Sequence, residues 1–307
     1  AGTYVPIQLQ PWWLDAVCGA GRWSVALAYD GGDKVVGALP YFLTRRLGLP
    51  VIQLPPFTAY SGPWLQYPDN PDFKKSSRYG FEHEVYTQLI GQLPRVAYFS
   101  QTFRPEVHNW LPFYWAGYRQ TTRYTYLLPE TDNLEALYEG LKNKLRTDLK
   151  TAARETEIVQ EDDPDLLFRL NGQSFGRKGL QQPYRREAFN ALHVALKERR
   201  QSVCFIARDC KTGAAHAALY LVFDAQQATL LLSGFDPDLG QRSRALHGLY
   251  WAAIRFCSER GLSLDFEGSM ERGIERALRA FGGQMTPYFQ VWKADNRLLE
   301  MGMLLLR

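Results

Sequence analysis

Cysteine is scarce. Cys18, Cys204, Cys210 and Cys257 are the only four in 307 residues, and none forms a C-x-x-C pair. Cys204 lies on an apolar run and Cys257 on the inward stripe of a helix, so both read as buried thiols. A reducing, cytoplasmic location is expected. The five histidines, His83, His108, His193, His216 and His247, show no metal-ligand spacing, and no structural zinc is expected. No apolar run approaches the roughly 20 residues of a membrane-spanning helix, and no signal peptide is visible. The chain begins at Ala1 rather than a methionine, which points to an upstream segment. The spacings G-x-x-x-x-G-K-[ST] and G-x-G-x-x-G are missing, and no G-x-S-x-G elbow presents a serine nucleophile. Covalent catalysis is therefore not expected. Low-complexity segments and short-period repeats are absent as well. Charge of either sign is nearly balanced at +4, which permits an anionic ligand and does not by itself argue for nucleic acid; no DNA partner is expected.

What is present is a globular composition, 46% hydrophobic and 22% charged, at a length that suggests two domains. Val25–Tyr29 and Lys34–Leu43 read as a hairpin around Asp30-Gly31-Gly32-Asp33. Val51–Leu54 is a short strand, Pro63–Ser77 a loop, Glu82–Leu93 a helix, and Arg95–Phe103 and Tyr118–Leu128 further strands. The segment Pro129–Asn133 reads as the boundary, giving domains over 1–128 and 129–307. Beyond it, Leu134–Glu155 has helical spacing, Glu157–Gln160 is a strand, and Asp165–Phe175 and Tyr184–Arg199 are helices. Ser202–Arg208, His216–Phe223 and Ala228–Phe235 follow with turns short enough for an antiparallel meander. Helix Ser243–Arg260, strand Leu262–Glu267, helix Gly273–Phe281 and strand Pro287–Lys293 complete an α+β, mixed α/β pattern.

Chemistry gathers in Ser233–Lys293. The strand-to-helix loop at Gly240, Gln241, Arg242, Ser243 and Arg244 offers donors at a helix start, where backbone amides favour anions. It is equally an ordinary polar turn with Ser243 as cap. Asp265 and Glu267 share one face of a strand end, where burial of carboxylates is costly without partners. Glu267 is the base candidate for an amine nucleophile, or else a structural carboxylate paired with Arg276 or Arg279. Ser269 either donates to substrate or caps the next helix. Lys142, Arg146, Lys150 and Arg154 recur every four residues, as a solvated face or a phosphate-facing stripe. The aromatic run 109–125, with Trp115 and Tyr118, reads as a groove or as packing between domains. Ser174–Tyr184 reads as an acceptor-binding loop or a plain connection.

These residues resemble a family. The segments KLRTDLKTAARE (144–155), HAALYLVF (216–223), ATLLLSGFD (228–236) and LYWAAIRFCSERG (249–261) are similar to the C-terminal GNAT-type domain of the FemAB-like acyltransferases. DFEGSM (265–270) with FGG (281–283) is the most specific part. The resemblance implies two tandem GNAT-like domains, each a mostly antiparallel mixed sheet flanked by helices. It implies transfer of an acyl or aminoacyl group to an amine, without a covalent intermediate or tightly bound cofactor, from acyl-CoA or aminoacyl-tRNA as co-substrate. The acceptor so implied is a small molecule or cell-envelope precursor, near Arg146, Lys150, Trp115, Tyr118 and Tyr184. The donor loop maps onto Gly240–Arg244, where the family's R/Q-x-x-G-x-G/A pattern is replaced by Gln241-Arg242-Ser243-Arg244-Ala245. The coiled-coil arm of many bridge-forming members has no heptad counterpart. A catalytically degenerate binding protein for a sugar-phosphate or peptide is the alternative; a loop sealed by side chains at Gly240–Arg244 would favour it.

Overall fold

The computed structural model describes residues 4–70, 73–177, 179–268, 270–296 and 300. The chain divides into two units, 1–123 with 287–307, and 124–286.

In the first unit, α1 (Pro11–Cys18) precedes the hairpin β1 (Ser24–Tyr29) and β2 (Val35–Arg46). Then come β3 (Leu49–Gln53), β4 (Trp64–Leu65), α2 (Lys75–Gly91), β5 (Tyr98–Thr102), α3 (Leu111–Trp115) and β6 (Arg119–Leu128), which runs across the division. The sheet order is β1-β2-β3-β5, antiparallel except for the parallel pair β3–β5, with β4 on β2. Gly37 is required here, because a Cβ would lie 2.3 Å from Val85 of α2. The core forms where α2 lays Val85, Tyr86 and Leu89 on the sheet beside Leu39, Ile52 and Phe99.

In the second unit, α4 (Leu134–Gly140) and α5 (Asn143–Glu155) lead to β7 (Thr156–Gln160), α6 (Pro164–Gly176) and α7 (Arg186–Arg199). The meander β8 (Ser202–Asp209), β9 (Ala215–Phe223) and β10 (Gln227–Phe235) follows. Next are α8 (Leu239–Ser243), α9 (Ala245–Ser258), β11 (Ser263–Asp265), α10 (Arg272–Arg279) and β12 (Gln284–Ala294). The order β6-β11-β10-β9-β8-β7 is antiparallel except for the parallel pair β10–β11. Each unit therefore has a mostly antiparallel mixed sheet with one parallel pair, and in each case a helix lies in the crossover between the paired strands. The meander is buried on both faces: Leu219, Leu221 and Ala217 of β9 pack with Ala245, Leu249 and Ala253 of α9.

Three differences from the sequence reading have physical causes. From Pro287 onward β12 belongs to the first unit, because Gln290–Ala294 pairs in register with β5, although it falls within the second domain expected over 129–307. The expected single helix Leu134–Glu155 is two helices, broken after Gly140 where Leu141 and Lys142 are extended, with ψ 143° and 144°, and Leu141 is buried. Gly140 weakens a helix interior, and the buried leucine holds the break. Helix Ser243–Arg260 is likewise interrupted at Arg244, which takes the left-handed conformation at φ 58°.

Candidate functional site

The strands β10 and β11 pair in parallel over only three positions, Gln227 to Thr229 against Ser263 to Asp265. β10 carries a register shift between Leu230 and Leu232, and the strand continues to Phe235 while β11 stops at Asp265. From Leu230 onward the two strands part. The resulting cavity, about 300 Å³, has Leu230–Ser233 on one side and Phe266 and Glu267 on the other. Helices α6, α9 and α10 close it with Asn171, Ser174, Leu246, Tyr250, Ile274 and Leu278. Its walls are mainly apolar, with a few convergent polar groups, the usual make-up of a small-molecule site.

Close backbone approaches build this cavity. A Cβ on Gly234 would lie 2.2 Å from the Asn171 amide nitrogen, so glycine lets α6 rest directly on β10. Asn171 is buried, donates to the Ser233 carbonyl at 2.7 Å and accepts from Gln182 at 2.9 Å. On the facing side a Cβ on Gly268 would lie 2.4 Å from Thr125 Cα. The Thr125 hydroxyl donates to Asp265 Oδ1 at 2.6 Å and accepts the Gly268 amide at 2.8 Å. Asp265 Oδ1 also accepts the Glu267 amide at 2.8 Å. Glu267 consequently stands in the left-handed region at φ 52°, a costly conformation for a non-glycine residue that the surrounding bonds must hold.

The alternation that placed Asp265 and Glu267 on one strand face thus ends at Asp265. Asp265 is buried beneath β6 and shapes the turn, while Glu267 lines the cavity. No hydrogen bond or ion pair reaches the Glu267 carboxyl among the described residues, and the expected partners Arg276 and Arg279 line a different cavity. Burial holds that carboxyl well above the usual carboxylate range, and the Asp265 charge adds to the effect. Tyr184 lines the same cavity, its hydroxyl pushed up to about 12 by burial and then by Glu267. Its ring meets Phe175 edge-on at 6.2 Å. Of the residues singled out in the sequence, the structure brings Glu267 and Tyr184 together. Ser269 lies outside the described residues.

The Gly240–Arg244 loop is a packing element. A Cβ on Gly240 would lie 2.5 Å from the His216 carbonyl oxygen, so the glycine seats α8 on β9. Asp236 accepts the amides of Asp238 and Leu239 on its carboxylate and that of Gly240 on its carbonyl. Ser243 is buried, donates to the Leu239 carbonyl at 3.0 Å and lies 2.9 Å from His216 Nδ1. It does not cap the next helix, whose N-cap is Arg244. The His216 ring also reaches Asp209 at 3.4 Å, but a serine this buried, with its proton on a carbonyl, is a structural link rather than a nucleophile. Gln241 and Arg242 are exposed, and Arg244 pairs with Asp148 at 3.3 Å.

The remaining candidates are dispersed. Tyr118 is buried in the first unit, edge-on to Phe99 and Phe113, and so is core packing rather than a groove wall. Trp115, in the same unit, is exposed and meets His83 at 4.9 Å. Arg146 bonds Asn143, and Lys150 is exposed on α5. The residues of this helix region that line a cavity are instead Lys142, Lys144, Leu145 and Asp148, together with His247, Arg276 and Arg279. Among the described residues no group of histidine, cysteine and acidic side chains is arranged to hold a metal ion.

Residues 140–273, within the second unit, match the family model described as an acetyltransferase (GNAT) domain. The second unit thus resembles a GNAT domain, and the chain as a whole has the fold of FemX. Over 92% of this chain and 91% of the other, it superposes on FemX with a TM-score of 0.66 at 12% identity. It matches the C-terminal domain of a protein named as a lysylphosphatidylglycerol synthetase from Agrobacterium fabrum at TM-score 0.59 and 16% identity, covering 95% and 90% of the two chains. L-PGS from Bacillus licheniformis matches at TM-score 0.53 and 12% identity, covering 99% and 97%. At these identities the likeness is one of fold. No curated protein matches the sequence. In this second unit the parted β10–β11 pair, Glu267 and the three covering helices form one cavity, and among the described residues no helix is long and apolar enough to cross a membrane.

Proposed function

We propose that this protein transfers an acyl or aminoacyl group from an activated donor to an amine, with the reaction centred in the cavity between β10 and β11. The observation that carries the reading is Glu267, a carboxyl without a protein partner among the described residues, set into an apolar cavity beside an unpaired strand edge. Beyond Thr229 the β10 main chain has no β11 partner, so its polar groups are available to a substrate carbonyl. A backbone amide aimed at that oxygen stabilises the oxyanion of a tetrahedral intermediate.

The amine nitrogen would attack the acyl carbon, forming the C–N bond. The C–S bond of a thioester or the C–O bond of an aminoacyl ester would then break. Glu267 in its carboxylate form would take the proton lost by the amine, directly or through a water, and the leaving thiolate or alkoxide would receive a proton in turn. Binding donor and acceptor side by side supplies the rest, with no covalent intermediate. Acyl-CoA and aminoacyl-tRNA are both donors of the required chemistry. A cell-envelope precursor as acceptor draws support from the structural neighbour named as a lysylphosphatidylglycerol synthetase. The test is a transfer assay with acyl-CoAs and charged tRNA against a panel of amine acceptors. Glu267→Gln should lower kcat/KM by about 10²–10⁴-fold; undiminished transfer would remove Glu267 from the reaction.

A second reading has one observation in its favour. The amide of Gly240, in the loop expected to hold a donor, is taken up by the Asp236 carbonyl, and the preceding amides of Asp238 and Leu239 by its carboxylate. A binding protein without turnover would show ligand-induced stabilisation with these donors or a sugar-phosphate, and no product with any acceptor.

A further inference from the structure

We propose that Gln182 is a positioning residue for the transfer reaction: its amide clips the connection from α6 to α7 onto α6, and so fixes Asn171 against β10 and Tyr184 in the cavity. The catalytic half of this statement rests on the transfer reading above; the clip does not. Gln182 Nε2 donates to the Phe168 carbonyl at 3.0 Å and to Asn171 Oδ1 at 2.9 Å. Asn171 Nδ2 in turn donates to the Ser233 carbonyl at 2.7 Å. Backbone carbonyls stand at both ends, and a carbonyl can only accept. The chain of bonds therefore has one consistent direction. Turning either side-chain amide over would set oxygen against oxygen. Gln182 does not itself line the cavity, yet it decides which way the buried Asn171 faces the parted strand.

Local structure serves this clip. Within 179–185 only Gln182 and Tyr184 are not exposed, and Pro183 between them restricts the backbone. The Gln182 side chain lies along α6 where Gly172 leaves room: a Cβ there would come within 3.1 Å of Gln182 Oε1. Tyr184, two residues on, meets Phe175 of α6 edge-on at 6.2 Å and lines the cavity with Glu267. Ser233, at the other end of the chain of bonds, belongs to the stretch of β10 beyond its last β11 partner, Thr229. One side chain therefore ties together two walls of the cavity, the unpaired strand and the tyrosine. A site assembled from separate elements needs such ties, because a displacement of about 1 Å can cost on the order of a hundredfold in rate.

The test uses Gln182→Met, which keeps the length and removes both bonds, and Gln182→Glu, which sets a carboxylate against the Phe168 and Asn171 oxygens. Gln181→Met, at an exposed neighbour, is the control. Nitration of the phenolate by tetranitromethane, read on the Tyr184 peptide by mass spectrometry, reports the clip without any turnover. Burial pushes the Tyr184 hydroxyl up to about 12, so the wild-type residue should react slowly. Release toward the ordinary value of about 10 should speed nitration by up to about a hundredfold. In the same variants kcat should fall by about tenfold to a hundredfold, with KM changed far less. A cooperative melting transition separates local release from unfolding. Should a Gln182 variant not fold, Gly172→Ala presses on the same amide while favouring the helix. Nitration of Tyr184 at the wild-type rate in the folded variants overturns the proposal, as does faster nitration with kcat unchanged. A wild-type protein that transfers from no donor retires the transfer reading and with it the catalytic role; faster nitration in the variants then leaves the clip standing.

Discussion

Thr125 of β6 clasps Asp265 of β11: its hydroxyl donates to the buried carboxylate at 2.6 Å while accepting the Gly268 amide at 2.8 Å. One hydroxyl therefore joins a strand to the turn that carries Glu267. Thr125→Val keeps the shape but leaves Asp265 Oδ1 and the Gly268 amide short of a partner, a loss of roughly 1–3 kcal/mol. A lowered melting temperature together with reduced transfer is expected, and Thr125→Ser should restore both. A valine variant indistinguishable from wild type in both would mean the clasp positions nothing.

Glu267 should cost the fold stability. Its folded-state pKa is raised, so the folded protein binds its proton more tightly than the unfolded chain does. Stability is then greatest at acid pH and falls as pH rises through the window above the unfolded carboxyl pKa. Glu267→Gln removes that loss. Chemical denaturation across pH should show the variant gaining on wild type toward neutral pH and converging with it at acid pH. As a base, Glu267 must be ionised, so transfer should fall as pH drops through its raised pKa. A constant stability difference across this range would contradict the shift.

Gly240→Ala separates packing from ligand binding. The new Cβ would meet the His216 carbonyl oxygen at 2.5 Å and Phe235 Cβ at 2.9 Å. A destabilisation of about 1–3 kcal/mol is expected from such overpacking. Gly176→Ala, where nothing lies within 4 Å, is the control. If the glycine served donor binding instead, donor affinity would collapse with little change in stability.

Thiol labelling gives a direct test of the burial pattern. Cys18, Cys204 and Cys257 are buried, each with its thiol pushed up to about 12 by burial, while Cys210 is exposed. A thiolate reagent at neutral pH should modify Cys210 alone in the native protein and the other three only on unfolding. Rapid labelling of Cys204 or Cys257 in the native state would contradict the packing of the second unit.

Local signals made much of the fold legible. The Asp30–Asp33 turn between alternating strands specified the first hairpin, and two short turns specified the β8–β10 meander, because both turn chemistry and alternation act within a few residues. Glu267 was legible as a carboxylate at a strand end beside glycine. Its left-handed backbone was not, since Thr125, more than a hundred residues earlier in the chain, holds it. Gly240 drew attention as a flexible loop residue, yet its need is a close approach to a carbonyl on another strand, which no local pattern encodes. The lysine and arginine repeat on α5 singled out Arg146 and Lys150, but the break at Leu141 and Lys142 turned Lys142 and Lys144 into the cavity. Helix α1 was missed because its apolar pattern is only two turns long.

The parting of β10 and β11 also bears on solubility. A strand whose main chain lacks a neighbour is ordinarily a template on which other chains can assemble. Here that open edge is turned inward, beneath Asn171 and Ser174 of α6, Leu246 and Tyr250 of α9, and Ile274 and Leu278 of α10. The molecule can keep unsatisfied strand edge ready for a small partner while denying it to a second protein.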